Sequence, residues 1–88
     1  MPDPQSAVLD VRGLRELEKA LTTYPALLVY VKTPECAICH ALWPKLQSRL
    51  GETYPRLALA RVDAVASPDV AASLAVHRVP TVLLFFEG

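Results

Sequence analysis

The spacing of apolar positions changes several times along this chain, and each change marks an element. From Asp10 to Thr23, "DVRGLRELEKALTT" sets Val11, Leu14, Leu17 and Leu21 three and four apart with charges between them, the period of an amphipathic helix. Pro25 stops it. "ALLVYV", Ala26 to Val31, is an unbroken apolar run and predicts a strand buried on both faces, as in the interior of a parallel sheet. After Thr33 and Pro34 a second helix is predicted from about Cys36 to Leu50, with Cys39, Trp43, Leu46 and Leu50 on one face and Gly51 ending it. Pro44 falls inside that helix, where it denies the His40 carbonyl its N–H and is expected to bend the axis.

Further on, "RLALARVDA" (Arg56 to Ala64) alternates Leu57, Leu59 and Arg61 against Ala58, Ala60 and Val62 and reads as a strand. "SPDVAASLAVHRV" supplies Ser67 as N-cap and Pro68 at the first helical position, so a short helix is predicted to end near Ala75 or Val76. "PTVLLFFEG" is a last strand, closed by Gly88. Strands separated by helices need crossovers. The expected class is therefore α/β, a mainly parallel central sheet with right-handed connections and helices on both faces. With no repeat, low-complexity stretch or linker, residues 1–88 read as a single domain.

Composition narrows the function classes. Nine Lys and Arg balance nine Asp and Glu, so neither nucleic acid nor an anionic membrane is expected as partner. Every apolar run falls far short of the roughly 20 residues that a membrane helix needs. The N-terminal "MPDPQSAVLDVRG" has two acids, two prolines and no apolar core of a secretory signal, which leads to the expectation of a cytoplasmic, reducing location.

Both cysteines fall in "ECAICH", Glu35 to His40. A cross-link closing so short a loop constrains little of the unfolded chain, so a structural staple is a poor account of the pair. Cys36 falls where a strand ends and a helix begins, and the free N–H groups and dipole of the helix start favour a thiolate there. It is the candidate nucleophile, and Cys39, one turn on, can attack a mixed disulfide and release the product. His40, four positions after Cys36, would as imidazolium steady that thiolate, whereas Glu35 would oppose it. Other readings stay open at this point. The cysteines could be two small core residues and His40 a solvated side chain. "CAICH" also fits the C-x-x-C-H pattern of haem attachment, and Cys36, Cys39, His40 and His77 have the ligand types of a zinc site. Against these, the only Met is the first residue and only one close Cys pair exists, so neither a cofactor nor a metal is expected.

Cys36, Cys39, Pro44, Asp63, Val79 and Pro80, taken together, resemble the thioredoxin-fold family from about residue 10 to Gly88. CxxC alone is weak evidence, but "RVPT" some forty residues later and followed by a strand makes the match specific. The resemblance implies a cis Val79–Pro80 bond beside the cysteines, with the Val79 backbone pairing to an extended substrate chain by strand addition. It also implies that the family's usual C-terminal strand and helix are lacking. "TVLLFF" would then be an exposed edge, so either the 88 residues are a fragment of a longer protein or that surface is buried against a second copy, and self-association through the last strand, most simply as a symmetric dimer, is the expectation. Three departures stand out. Glu35 replaces the Trp that usually precedes the first Cys, and Ala37-Ile38 replace Gly-Pro. Tyr30, six positions before Cys36, takes the place of the family's buried Asp, and a neutral phenol is a poor base at pH 7. Trp43, on the helix, reads as core packing.

The resemblance implies a small thiol–disulfide oxidoreductase in which Cys36 attacks a protein disulfide, Cys39 resolves, and an external reductant restores the dithiol. The alternative is a thioredoxin-fold binding or redox-sensing module with little turnover, favoured by Tyr30 and by the missing Trp.

Overall fold

The computed structural model describes residues 7–86. The first six residues of the leader-free reading, and Gly88 as the close of the last strand, lie outside them. Seven elements follow in order: β1 (Val8–Val11), α1 (Leu14–Thr23), β2 (Ala26–Lys32), α2 (Ala37–Thr53), β3 (Ala58–Asp63), α3 (Pro68–Ser73) and β4 (Thr81–Phe86). No helix among them is long and apolar enough to cross a membrane.

The sheet has the strand order β1-β3-β2-β4. β3 pairs in parallel with β1 and with β2, so the middle of the sheet has the parallel character that the crossovers require. β4 runs antiparallel to β2, from Thr81 beside Val31 to Phe86 beside Ala26, and forms an edge of the sheet.

Alternation along the strands sorts side chains between two cores. Leu27, Val29 and Val31 of β2 join Ala58, Ala60 and Val62 of β3 beneath Leu17 and Ala20 of α1 and Val70 of α3. Leu28 and Tyr30 join Leu57 and Leu59 on the opposite face, where Cys39, Leu42, Trp43, Leu46 and Leu50 of α2 cover them. Helices therefore occupy both faces, as expected. Each Leu or Val fully buried in this way contributes about 1.5–3 kcal/mol of transfer free energy, most of which chain entropy offsets.

Two boundaries correct the sequence reading. The first helix does not begin at Asp10. Gly13, at a φ of 91° that only glycine adopts readily, separates it from β1, and Val8–Val11 are drawn into the sheet by pairing with Leu59–Val62. Nor does Gly51 end α2, which continues to Thr53. The Tyr54 N–H closes the last turn on the Leu50 carbonyl at 2.7 Å, and Pro55 follows. Loss of helix propensity at one glycine is about 1 kcal/mol, too little to stop a helix whose Leu46 and Leu50 are held against the sheet.

Candidate functional site

The cysteines fall at the junction of β2 and α2. Cys36 is the N-cap of α2, with extended backbone, and Cys39 is in the first turn. The two are joined by a disulfide with their Cα atoms 5.2 Å apart. Their surroundings differ. Cys36 is half-exposed, whereas Cys39 is 1% exposed and part of the core. The Cys39 N–H donates to Cys36 Sγ at 3.0 Å, and the His40 N–H bonds the Cys36 carbonyl at 3.2 Å. The side chain of Cys36 thus replaces the hydroxyl or carboxylate that commonly caps a helix, and its sulfur lies where a negative charge would be stabilised.

Beneath the pair stands Tyr30, 1% exposed at the centre of β2. Its hydroxyl donates to the Cys39 carbonyl at 2.8 Å, and burial pushes its pKa above the ordinary tyrosine value. The Trp43 ring lies 5.3 Å from the Tyr30 ring, tilted by 37°, and the Arg61 guanidinium is 5.2 Å from the Trp43 ring on its face.

His40 and Glu35 are both exposed. His40 Nε2 donates to the Pro34 carbonyl at 2.8 Å, which holds the ring against the loop that carries Glu35 into Cys36. The set Cys36, Cys39, His40 and His77 is not assembled as a zinc site: the two sulfurs are bonded to each other, and no cluster of three or more His, Cys, Asp and Glu occurs among the described residues.

The Val79–Pro80 bond is cis. Val79 and Cys36 pack against the same cluster of Leu28, Tyr30, Cys39, Leu57 and Leu59, which brings the segment before β4 to the end of the sheet that carries the disulfide. The Thr81 hydroxyl donates to the Arg78 carbonyl and closes the loop around the proline.

Asp63 ends β3 alongside Lys32, whose ammonium is 3.8 Å from its carboxylate. Its Oδ1 accepts the Val65 and Ala66 N–H groups at 2.9 and 3.2 Å, an Asx turn that leads out of the strand. Burial raises its pKa, yet the bonds from Ala66 and Val65 and the charge of Lys32 together outweigh burial and lower it. The sequence reading missed the bond from Tyr30 to Cys39 and the contact of Arg61 with Trp43. Their only advance signals were a polar tip within an apolar strand and a charge on a strand facing an aromatic helix.

Residues 12–88 match the Thioredoxin family. The "Thioredoxin-like protein YdfQ" of Bacillus subtilis (strain 168) is 30% identical over 78 residues, which cover 89% of this chain and 69% of that protein. "Protein disulfide-isomerase A2" of Pongo abelii is 38% identical over 88 residues, covering 97% of this chain but 17% of that protein. Among solved structures, a mutant thioredoxin from Halobacterium salinarum NRC-1 superposes with a TM-score of 0.86 at 27% identity, over 100% of this chain and 75% of that one.

Proposed function

The chain belongs to the thioredoxin family, and from that premise we propose that it is a small thiol–disulfide oxidoreductase acting on protein substrates. The observation that carries the reading is the pair itself: an accessible Cys36 at a helix N-cap, bonded to a buried Cys39 whose N–H points at the Cys36 sulfur.

In the reducing direction the Cys36 thiolate attacks one sulfur of a substrate disulfide. A bond forms between Cys36 and that sulfur, the substrate S–S bond breaks, and the second substrate sulfur leaves as a thiolate that takes up a proton. Cys39, having lost its own proton, then attacks Cys36 Sγ. The Cys36–Cys39 disulfide forms, the mixed disulfide breaks, and the first substrate sulfur leaves. Two electrons have passed to the substrate, and an external thiol reductant returns them to the pair. Val79, before Pro80, packs against the same cluster as Cys36, which supports assigning its backbone the hydrogen bonds to an extended substrate chain, with little demand on that chain's sequence. His40 stabilises the thiolate and Glu35 opposes it.

Insulin reduction driven by dithiothreitol tests this. Turnover well above the dithiothreitol background, abolished by Cys36→Ser, is the expected result. A folded protein with free thiols and no rate above background would instead make it a binding or redox-sensing module. The reading places the chain in a reducing cytoplasm, where the pair would be kept as a dithiol between turnovers.

The chain is further proposed to self-associate through β4. Self-association is supported by the position of that strand at the sheet edge among the described residues and by Val82, Leu84 and Phe86, which are exposed along a groove of about 670 Å³ shared with Leu46 and Leu50 of α2. The occupant proposed for that groove is a second copy of the chain.

A further inference from the structure

Tyr30 is buried close to the disulfide, 1% exposed, and its hydroxyl has one hydrogen-bond partner among the described residues, the Cys39 carbonyl. That carbonyl belongs to the same residue whose N–H donates to Cys36 Sγ. Cys39 is therefore held on both sides of its Cα, by the sheet through its C=O and by the nucleophile's sulfur through its N–H. Rotation of one peptide unit disturbs the aim of the other, so a bond to the carbonyl influences how well the amide meets the sulfur.

We infer that Tyr30 is a positioning residue for the thiol chemistry: its hydroxyl, anchored in the central strand, fixes the Cys39 backbone so that the Cys39 amide stays aimed at Cys36 Sγ. On reduction that amide becomes a donor to a thiolate, and a bond to a charged acceptor is shorter and stronger than one to a neutral sulfur. Tyr30 thus favours the ionised form of Cys36 without touching it. The phenol gives up no proton. Its hydrogen is committed to a carbonyl, and burial makes ionisation harder still. This inference rests on the oxidoreductase reading, because it assigns Tyr30 a role in tuning the attacking thiol.

Other ionisable groups lie on the elements around the pair. His40 and Glu35 flank Cys36 on α2 and its approach, Lys32 extends from β2, Arg61 and Asp63 from β3, and His77 and Arg78 precede the cis bond. A cleft of about 140 Å³ reaches Cys39 between Tyr30, Lys32, His40 and Arg61. None of these groups accepts from or donates to the Tyr30 hydroxyl, so removing that oxygen leaves their charges in place.

The test is the pH profile of Cys36 alkylation by iodoacetamide in the reduced protein. Tyr30→Phe keeps the ring and loses the donor, and its midpoint is expected to rise by about 0.5–1 pH unit, the equivalent of one ordinary hydrogen bond. Site-specific 3-fluorotyrosine at position 30 keeps the donor while lowering the phenol's own pKa, and should retain the original midpoint. An unmoved midpoint in folded Tyr30→Phe overturns the inference, and a profile that shifts with fluorination overturns it in favour of a proton-exchanging phenol. Should Tyr30→Phe fail to fold, NMR of the unsubstituted reduced protein decides: a slowly exchanging Tyr30 hydroxyl proton with through-space contacts to residues 39 and 40 supports the inference, and fast exchange with water ends it. A Cys36 midpoint near the free-thiol value of about 8.5 in the unsubstituted protein, with no insulin reduction, would remove the oxidoreductase reading itself.

Discussion

Arg61 and Asp10 face each other across the β3–β1 pair, and the guanidinium holds the carboxylate with two bonds, Nε to Oδ1 at 2.9 Å and Nη2 to Oδ2 at 3.0 Å. The same guanidinium lies over Trp43. One side chain thus links an edge strand to the helix that carries the cysteines. The ion pair is partly exposed to solvent, so its own worth is about 0.2–1 kcal/mol, while loss of the ring contact adds about 0.5–1 kcal/mol.

Arg61→Ala is therefore expected to cost more stability than Asp10→Ala, by about 0.5–1 kcal/mol in urea titrations, and to change Trp43 fluorescence. Arg61→Lys should recover little of the loss, since an ammonium reproduces neither the two-bond geometry nor the flat stacking. Equal losses from the Asp10 and Arg61 variants would show that the ring contact contributes nothing.

The unequal burial of the two sulfurs predicts unequal reactivity. In the reduced protein near neutral pH, iodoacetamide should modify Cys36 well before Cys39, and peptide mass mapping over time would show it. Cys39→Ser should accumulate mixed disulfides through Cys36, because no second sulfur is left to release them. Faster labelling of Cys39 would reverse the assigned roles.

Asp63 supplies a pH dependence with a definite sign. Its folded pKa is lowered, so its contribution to stability is present in full above the unfolded value of about 3.9 and is lost as pH falls through the lower folded value. Asp63→Asn removes that dependence while keeping an oxygen for the Val65 and Ala66 amides, and should flatten the acid limb of stability against pH. Asp63→Ala removes the acceptor as well and should cost about 0.5–2 kcal/mol at neutral pH. An acid limb of unchanged slope in Asp63→Asn would show that other carboxylates govern it.

Sedimentation at micromolar concentration tests pairing through β4. Leu84 is 54% exposed and faces the groove, so Leu84→Lys should shift any dimer toward monomer without loss of fold. If the unsubstituted protein sediments as a monomer and binds no hydrophobic dye, the second-copy proposal fails.

What could be read in advance followed from local pattern. Leu27 to Val31 and Leu57 to Val62 fall on two apolar faces in strict alternation, and a central strand with helices on both sides follows from that. Val8–Val11 escaped notice because Val11 continues the helical spacing of Leu14, Leu17 and Leu21. The partner that makes those residues a strand, Leu59–Val62, is some fifty positions away. The antiparallel sense of β4 left no mark either: both faces of "TVLLFF" are apolar, and strand direction is decided by the route of the loop before it. Within the site, the residue types and spacing of Cys36, Cys39, Val79 and Pro80 were visible. The bond from Tyr30 to the Cys39 carbonyl was not, since it depends on where a helix end comes to rest over a strand.

β2 takes its second neighbour from the far end of the described chain, with Ala26 against Phe86 and Val31 against Thr81. A polypeptide leaving the ribosome from its N-terminus must therefore carry Leu27 to Val31 with one side unpaired until Thr81–Phe86 has emerged, although β1 and β3 can already be in place. For that interval a strand that is buried from Leu27 to Val31 in the finished fold is an open edge in a crowded cell, a template for any other nascent chain. The last strand of the described residues is the one that ends this exposure.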